Sequence, residues 1–456
     1  MSRRNRGNRG NRRCRRLPRL TGPGRSVFAG LAALAVLGSL APAAQAGWSR
    51  PFEFTAPGSL DLIGAQLAFA PNGSAAAAYG VEDVDTPGDS QAFVTPRSRA
   101  GAVGSPKTVA SAKQVLALSY DGSALQLLTG AGPSALACCS SVQAVRLSAG
   151  GTLQRPQTLV GGLTGRAEAQ LLTLSHGGML AAIATERGVW VVSARRGRRF
   201  GAQHRLSTAD QIPQSMAATW RGGQSTLVAW TSARGPAGTA DPRTIYYAQS
   251  SGRAAPRQVH KLLTVASGHR IDELDVARRG SRATAAWVES WYDKKGSFHS
   301  IVRAADVAAK PGIRNLSPAS QLAAGVSASA DASGDQAVSW KLCRGNGSCT
   351  VQAALRGAHS TFAGHSSFGQ SDPSDAPVSA VGPRGQAIVA WVRSGQPRAA
   401  VGSAHSRRFG RARILSENAQ FAADLTVAFG PRRQALAAWS QGTLNPSLVG
   451  AAYTAP

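Results

Sequence analysis

The chain is poor in acids, aromatics and sulfur. Its 456 residues include 23 Asp and Glu against 51 Lys and Arg, with 5 Cys, 3 Met and 6% aromatics. Each scarcity excludes something. Glycoside hydrolysis by paired carboxylates needs two acids flanking one bond, and no pair stands out here. No Cys-x-x-Cys or His-x-x-x-His spacing occurs, so zinc has no familiar framework. No Gly-x-Ser-x-Gly elbow is present, which removes the usual strand-to-helix serine nucleophile. No metal or cofactor is expected and no catalytic residue is assigned. After the first 46 residues no apolar run reaches the roughly 20 residues of a spanning helix, so no transmembrane segment is expected in the processed chain.

The N-terminus reads as an address. Residues 1–26 carry ten arginines and no acid, and are followed by an apolar stretch, 27–40, and by Ala41-Pro-Ala-Ala-Gln-Ala46. A basic start, a short apolar stretch and small residues before a cleavage point describe a secretory signal peptide. The expected division is 1–46 signal peptide and 47–456 mature domain, secreted or held in the cell envelope. The pairs Arg12-Arg13 and Arg15-Arg16 leave general and twin-arginine export both open. Removing the leader leaves 41 basic residues against 23 acids, a net charge of +18.

What the chain has in quantity is a repeat. An apolar run, a turn usually built on Gly, a second apolar run and often a Trp recur at 67–79, 115–128, 171–183, 216–230, 274–287, 326–340, 378–391 and 425–439. A period near 50 residues means one supersecondary unit copied along a line or around an axis. In the unit 378–416, turn chemistry at Gly382-Pro-Arg-Gly385, around Ser394–Gln396 and at Arg407-Arg-Phe-Gly410 separates four short apolar or alternating runs. Repeated four-stranded antiparallel units point to an all-β fold. Radial closure of such blades answers the exposed-edge problem. A single β-propeller follows, with eight blades ahead of seven. The last unit has only three strands' worth of chain, so Trp48–Phe54 is expected to supply its fourth and close the ring. The aromatic late in each second run (Tyr79, Trp230, Trp287, Trp340, Trp391, Trp439) is read as blade-to-blade packing.

Cys343 and Cys349 flank Arg-Gly-Asn-Gly-Ser. A hairpin there would set them opposite each other, and a disulfide is expected in an oxidising compartment. For Cys138-Cys139 two thiols and a vicinal disulfide both stay open.

Propeller geometry sorts the loops. Turns between strands 1–2 and 3–4 share one face, and loops 2–3 and the blade connections share the other. The first set carries Arg221, Arg278, Arg279, Arg384, Arg432 and Arg433 in 1–2 turns, and Arg195, Arg196, Arg198, Arg199, Arg253, Arg407 and Arg408 in 3–4 turns. The acids among these turns are chiefly Asp121, Asp331 and Asp335. A basic face follows, suited to carboxylate, sulfate or phosphate groups. Compositional drift toward arginine explains the same charge without function. The opposite face carries irregular loops, among them the acidic stretch with Asp83, Asp85 and Asp89, read as solvated. Glu289 and Asp293 are acids of interest by position only, and read as surface residues.

The turn-then-Trp units resemble those of secreted bacterial β-propeller proteins of the sialidase-like, Asp-box superfamily, over nearly the whole mature chain. That family's box reads Ser-x-Asp-x-Gly-x-x-Trp. The nearest string here, Ser329 to Trp340, is longer and falls between strands 1 and 2. The Arg-Ile-Pro element is missing, and Tyr246 and Tyr247 match no nucleophile pattern, so no residue role is carried over. Two functions stand. One is an exported, non-enzymatic propeller that binds an anionic wall polymer, acidic polysaccharide or protein partner, with no specific nucleic-acid role. The other is a sialidase-like glycan hydrolase or lyase with its site at the axis of the irregular face. Three or more arginines plus a carboxylate and a tyrosine converging at one mouth of the channel would favour the enzyme. An axis of small apolar residues, as in Leu67-Ala-Phe-Ala and Val427-Ala-Phe, would favour the binder.

Overall fold

The second strand of each repeat is apolar on both faces, a pattern stable only when both faces are covered. Ala124–Ala131 and Met179–Thr185 are buried at every position. Ala75–Glu82 and Gln336–Cys343 are buried at all but the last. In the computed structural model that cover comes from neighbouring blades. The residues described are 47–55, 61–82, 90–132, 139–174, 177–221, 225–234, 242–250, 255–279, 282–308, 310–345, 347–362, 364–442 and 446–455. The expected leader, 1–46, lies outside them.

Eight antiparallel sheets follow one another along the chain, an eight-bladed propeller. Blades 1–7 span 61–109, 114–161, 167–205, 211–264, 269–315, 322–371 and 378–414, and blade 8 spans 423–454. In blades 1–7 strand order runs as in the sequence from the inner strand outward. No α-helix occurs among the described residues. In blade 7 the strands are Val378–Gly382, Gln386–Arg393 and Gln396–Ser403, and the outer edge is broken into Arg408–Phe409 and Arg413–Ile414. Phe409 pairs with Gly402, where an added Cβ would stand 2.6 Å from its ring.

Blade 8 takes its outer strand from the other end of the described chain. Gly47 and Trp48 pair with Thr454 and Tyr453, and Phe52 and Glu53 with Gly450 and Val449. The Trp48 and Tyr453 rings lie 5.3 Å apart. Phe54 is buried against Gly450, where a Cβ would come within 2.6 Å of its ring.

The repeated aromatics fill the gaps between blades. Trp230, Trp287, Trp340, Trp391 and Trp439 are among the largest fully buried side chains. Each packs into the blade before its own. Burying an indole removes about 200 Å² from water, worth roughly 5 kcal/mol in transfer free energy. Blade 3 has Ile183 on its second strand, opposite Trp190 on the third. Tyr246 stacks on Trp230 and Tyr247 on His260, so both tyrosines are packing residues. Cys343 and Cys349 are cross-strand partners joined by a disulfide, with Cα atoms 3.9 Å apart. Cys139 is also disulfide-bonded, and Cys138 lies outside the described residues.

Phe54 is the deepest anchor of the strand that completes blade 8. Phe54→Ala is expected to cost about 3–5 kcal/mol, read as the shift in the urea midpoint. A loss below about 1 kcal/mol would mean that closure does not depend on this segment.

Candidate functional site

The inner strands end side by side around the axis. At or next to the last position of each stand, in blade order, Phe69, Tyr120, Thr173, Trp220, Arg278, Ala330, Val381 and Phe429. All except Arg278 line one open cavity of ≈ 950 Å³, together with residues of the 1–2 turns. Arg278 lays its guanidinium over the Trp220 ring, 4.1 Å from the centroid. Burial lowers its pKa, and the charge of Asp331 opposes that shift. Burial pushes the Tyr120 phenol up to about 12, against a hydrogen bond with Ser74. The sequence reading names Arg278 as a turn arginine and places the strands of Phe69 and Phe429 at the axis. Tyr120 and Trp220 escape it, because it follows the turn glycines and the second-strand Trp. The available signal was an aromatic placed immediately before a 1–2 turn, in Phe69-Ala-Pro, Tyr120-Asp-Gly, Trp220-Arg-Gly and Phe429-Gly-Pro.

Asp331 is the one acid lining this cavity among the described residues. It holds two turns together. One carboxylate oxygen accepts the N–H groups of Ser333, Gly334 and Asp335 and the Ser333 hydroxyl, at 2.7–3.0 Å. The other accepts Gly385 N–H at 3.1 Å, across the boundary to blade 7. That bond holds the turn that presents Arg384 at φ 66°. Asp331 is therefore a fastener for two turns. One arginine, Arg384, lines this mouth with a tyrosine and a carboxylate, while Arg278 stands against Trp220, short of the three arginines that would favour the enzyme.

The arginines expected on this face distribute as follows. Arg195, Arg196, Arg198 and Arg199 are exposed on the 3–4 turn of blade 3, and Arg384, Arg407, Arg408 and Arg432 are exposed on blades 7 and 8. Arg433 is half-buried. Arg221 and Arg279 end the inner strands of blades 4 and 5. Arg253 lies outside the described residues. The two turn sets do meet: Gly197 N–H of a 3–4 turn donates to Asp121 beside a 1–2 turn, at 2.7 Å. Arg198 and Arg199 meet Arg146 and Arg155 of blade 2 around a small second cavity.

On the connection side the acidic stretch 83–89 lies outside the described residues. Glu289 corrects the sequence expectation. It is buried, with His269 Nδ1 at 2.7 Å and Arg303 Nη1 at 3.0 Å. It shares the face of Trp287, which turns toward blade 4, so its charge has to be paired. Asp293 is half-exposed, caps the turn through the N–H groups of Lys295 and Ser297, and holds His299 at 3.0 Å. Near the start of the inner strand of blade 7, buried Lys341 donates to the Pro373 and Asp375 carbonyls. Burial raises the Asp375 carboxyl, and the charge of Asp372 adds to the shift.

The channel wall holds more chemistry than the inner strands of blades 1 and 8 suggested. Glu168 and Gln170 of blade 3 accept Met216 and Ala218 N–H groups of blade 4, at 3.2 and 2.6 Å. Glu273 of blade 5 accepts Gly325 and Val326 N–H groups of blade 6, at 3.0 and 2.6 Å. Asp275 accepts Ala328 N–H at 2.7 Å and Val276 N–H at 2.7 Å. These side chains satisfy inner-strand N–H groups that have no further strand to pair with.

No family model matches the sequence, and no curated protein matches it. Solved structures do match in shape. The Dos1 propeller has a TM-score of 0.53 at 13% identity, covering 89% of this chain and 95% of that one. The polysaccharide lyase Uly1 has a TM-score of 0.49 at 6% identity, covering 76% and 91%. The α-L-arabinanase of Penicillium chrysogenum has a TM-score of 0.43 at 10% identity, covering 89% and 98%. At these identities the likeness concerns the fold alone.

Burial pushes the Asp275 carboxyl up to about 6, against two backbone hydrogen bonds that pull it down. An unfolded Asp titrates near about 3.9. A raised folded pKa stabilises below the unfolded value, and that contribution is lost as pH rises through about 6. Asp275→Asn should therefore gain on the wild type by up to about 2–3 kcal/mol between pH 4 and pH 7. The difference in urea midpoints across that window checks it, and a constant difference would refute it.

Proposed function

We propose that this chain is an exported, non-catalytic propeller whose turn-side axial mouth binds an acidic extracellular glycan. The carrying observation is the make-up of that mouth. Phe69, Tyr120, Trp220 and Phe429 line it with half-buried aromatic rings, Arg384 supplies a cation, and Arg278 lies against the Trp220 ring. Sugar rings present C–H faces that stack on aromatics, and uronate or sulfate groups match arginine forks. Asp331, the one acid lining this mouth among the described residues, holds two turns through five hydrogen bonds and has no second carboxylate beside it in the lining. The exposed arginines around the rim add a field that speeds encounter with polyanions and weakens with salt. Export is supported by the expected leader at 1–46 and by the Cys343–Cys349 disulfide, a bond that persists outside the cytosol.

A second reading, a glycan hydrolase or lyase at the connection-side mouth, has one observation in its favour. Asp375, raised by burial, stands beside the Lys341 ammonium, and a carboxyl shifted toward neutrality is what general acid catalysis uses.

The mature protein should stay on immobilised heparin at about 0.15 M salt and elute above it. Trp220→Leu should weaken heparin oligosaccharide binding about tenfold with the fold intact by circular dichroism. Elution at or below physiological salt would defeat the proposal. Appearance of new reducing ends or unsaturated uronates, abolished by Asp375→Asn, would replace it with the enzymatic reading.

A further inference from the structure

We infer that the turn-side junction of blades 2 and 3 holds a discrete oxyanion site, built from Arg146 and Arg155 of blade 2 and Arg198 and Arg199 of blade 3. It takes one sulfate ester or carboxylate of a glycan whose neighbouring residues occupy the axial mouth. The inference rests on the binding role proposed above and specifies where the ligand's charge is read.

The cavity these arginines line measures ≈ 50 Å³. On this measure one water needs about 10–15 Å³, so the space admits a small polar group such as one oxyanion. The walls are fixed before any ligand arrives. Gln157 clamps the far wall by donating to the Phe200 carbonyl at 2.7 Å and accepting Phe200 N–H at 3.1 Å. Asp121 accepts Gly197 N–H at 2.7 Å, which seats the Arg195–Arg199 turn on blade 2. Gln126, buried and paired in register with Arg146, closes the floor and donates to the Val145 carbonyl at 3.0 Å.

The charge around this space is unbalanced. Asp121 lies 3.7 Å from Arg146 and its near oxygen already accepts Gly197 N–H. Arg155, Arg198 and Arg199 make no ion pair with a described residue. Guanidiniums gathered without counter-charge repel one another, and an anion held between them relieves that repulsion while gaining charge-assisted hydrogen bonds. Position links the pocket to the axis. Asp121, which seats the arginine turn, directly follows Tyr120, which lines the axial cavity, so both sites lie on the turn face.

Calorimetric titration of the mature protein with a heparin tetrasaccharide at constant ionic strength tests this. Arg155→Gln with Arg199→Gln, both exposed, should weaken binding about tenfold. Arg407→Gln with Arg408→Gln removes the same charge from blade 7 and should cost less than about twofold, as expected for a screened exposed charge. Equal losses in the two double variants would mean a general field and overturn the pocket. No loss in the first, while Trp220→Leu still weakens binding, would overturn the pocket and leave the axial site standing. Absence of wild-type binding would remove both. With the fully desulfated tetrasaccharide, loss of the Arg155/Arg199 effect identifies sulfate as the group read, and its persistence identifies carboxylate.

Discussion

Everything in this molecule depends on one blade covering the next. A four-stranded sheet with two apolar faces cannot stand in water, and each face here is sealed by a neighbour. The seal is asymmetric. In blades 1, 4, 5, 7 and 8 the second strand carries alanine then an aromatic, as in Ala78-Tyr79, Ala229-Trp230, Ala286-Trp287, Ala390-Trp391 and Ala438-Trp439. The aromatic packs backward into the preceding blade, and the alanine turns forward to receive the following one. A large group on one face and a small group on the other lets identical units nest in sequence without overpacking. The seal between blades 8 and 1 is made the same way, by Tyr79 against Leu436 and Ala438 with Phe54 beside them.

The same geometry makes trouble at the axis. Inner strands converge there, each paired on one side only, so their outward N–H groups need acceptors. Blades 3 and 5 meet this with Glu168, Gln170, Glu273 and Asp275, which reach across to the next inner strand. Ser327 does the same for Ser379 N–H between blades 6 and 7, at 3.1 Å. The arrangement satisfies the backbone, and it places a carboxyl, Asp275, where burial opposes its charge. The channel wall thus sets part of the pH response of the fold.

The fold was legible because its signals are periodic and local. Turn glycines and the apolar run ending in Trp recur at a spacing that only a repeat unit explains. Blade number followed from counting them, and the cysteine pair from hairpin register. What escaped was set by the third dimension. Glu289 looks like a surface acid until strand alternation is read from Trp287, two residues earlier on the inward face. The fourth strand of blade 7 reads as continuous, yet the edge is split into Arg408–Phe409 and Arg413–Ile414. The axial ring is assembled from residues about 50 positions apart, each unremarkable alone. The sign of the turn-face charge was visible in sequence, but its concentration between blades 2 and 3 was not. Arg146 and Arg155 sit on a third strand and beyond a 3–4 turn, outside the list of turn arginines.

The mouth itself is not symmetric, and that bears on what it can hold. Going round the ring, Phe429, Phe69 and Tyr120 make an aromatic arc over blades 8, 1 and 2. Ala330 and Val381 make a small apolar one over blades 6 and 7. Trp220 with Arg278 stands between them at blades 4 and 5. A ligand with only charge would have no reason to prefer the arc, and one with only apolar rings would ignore the arginines. An object with alternating ring faces and anionic groups satisfies both. Asp121, next to Tyr120, seats the arginine turn that lines the gap between blades 2 and 3. The ring positions and the gap are products of different strands in different blades. A direction across the face follows from their order: rings at the axis, charge toward the rim between blades 2 and 3.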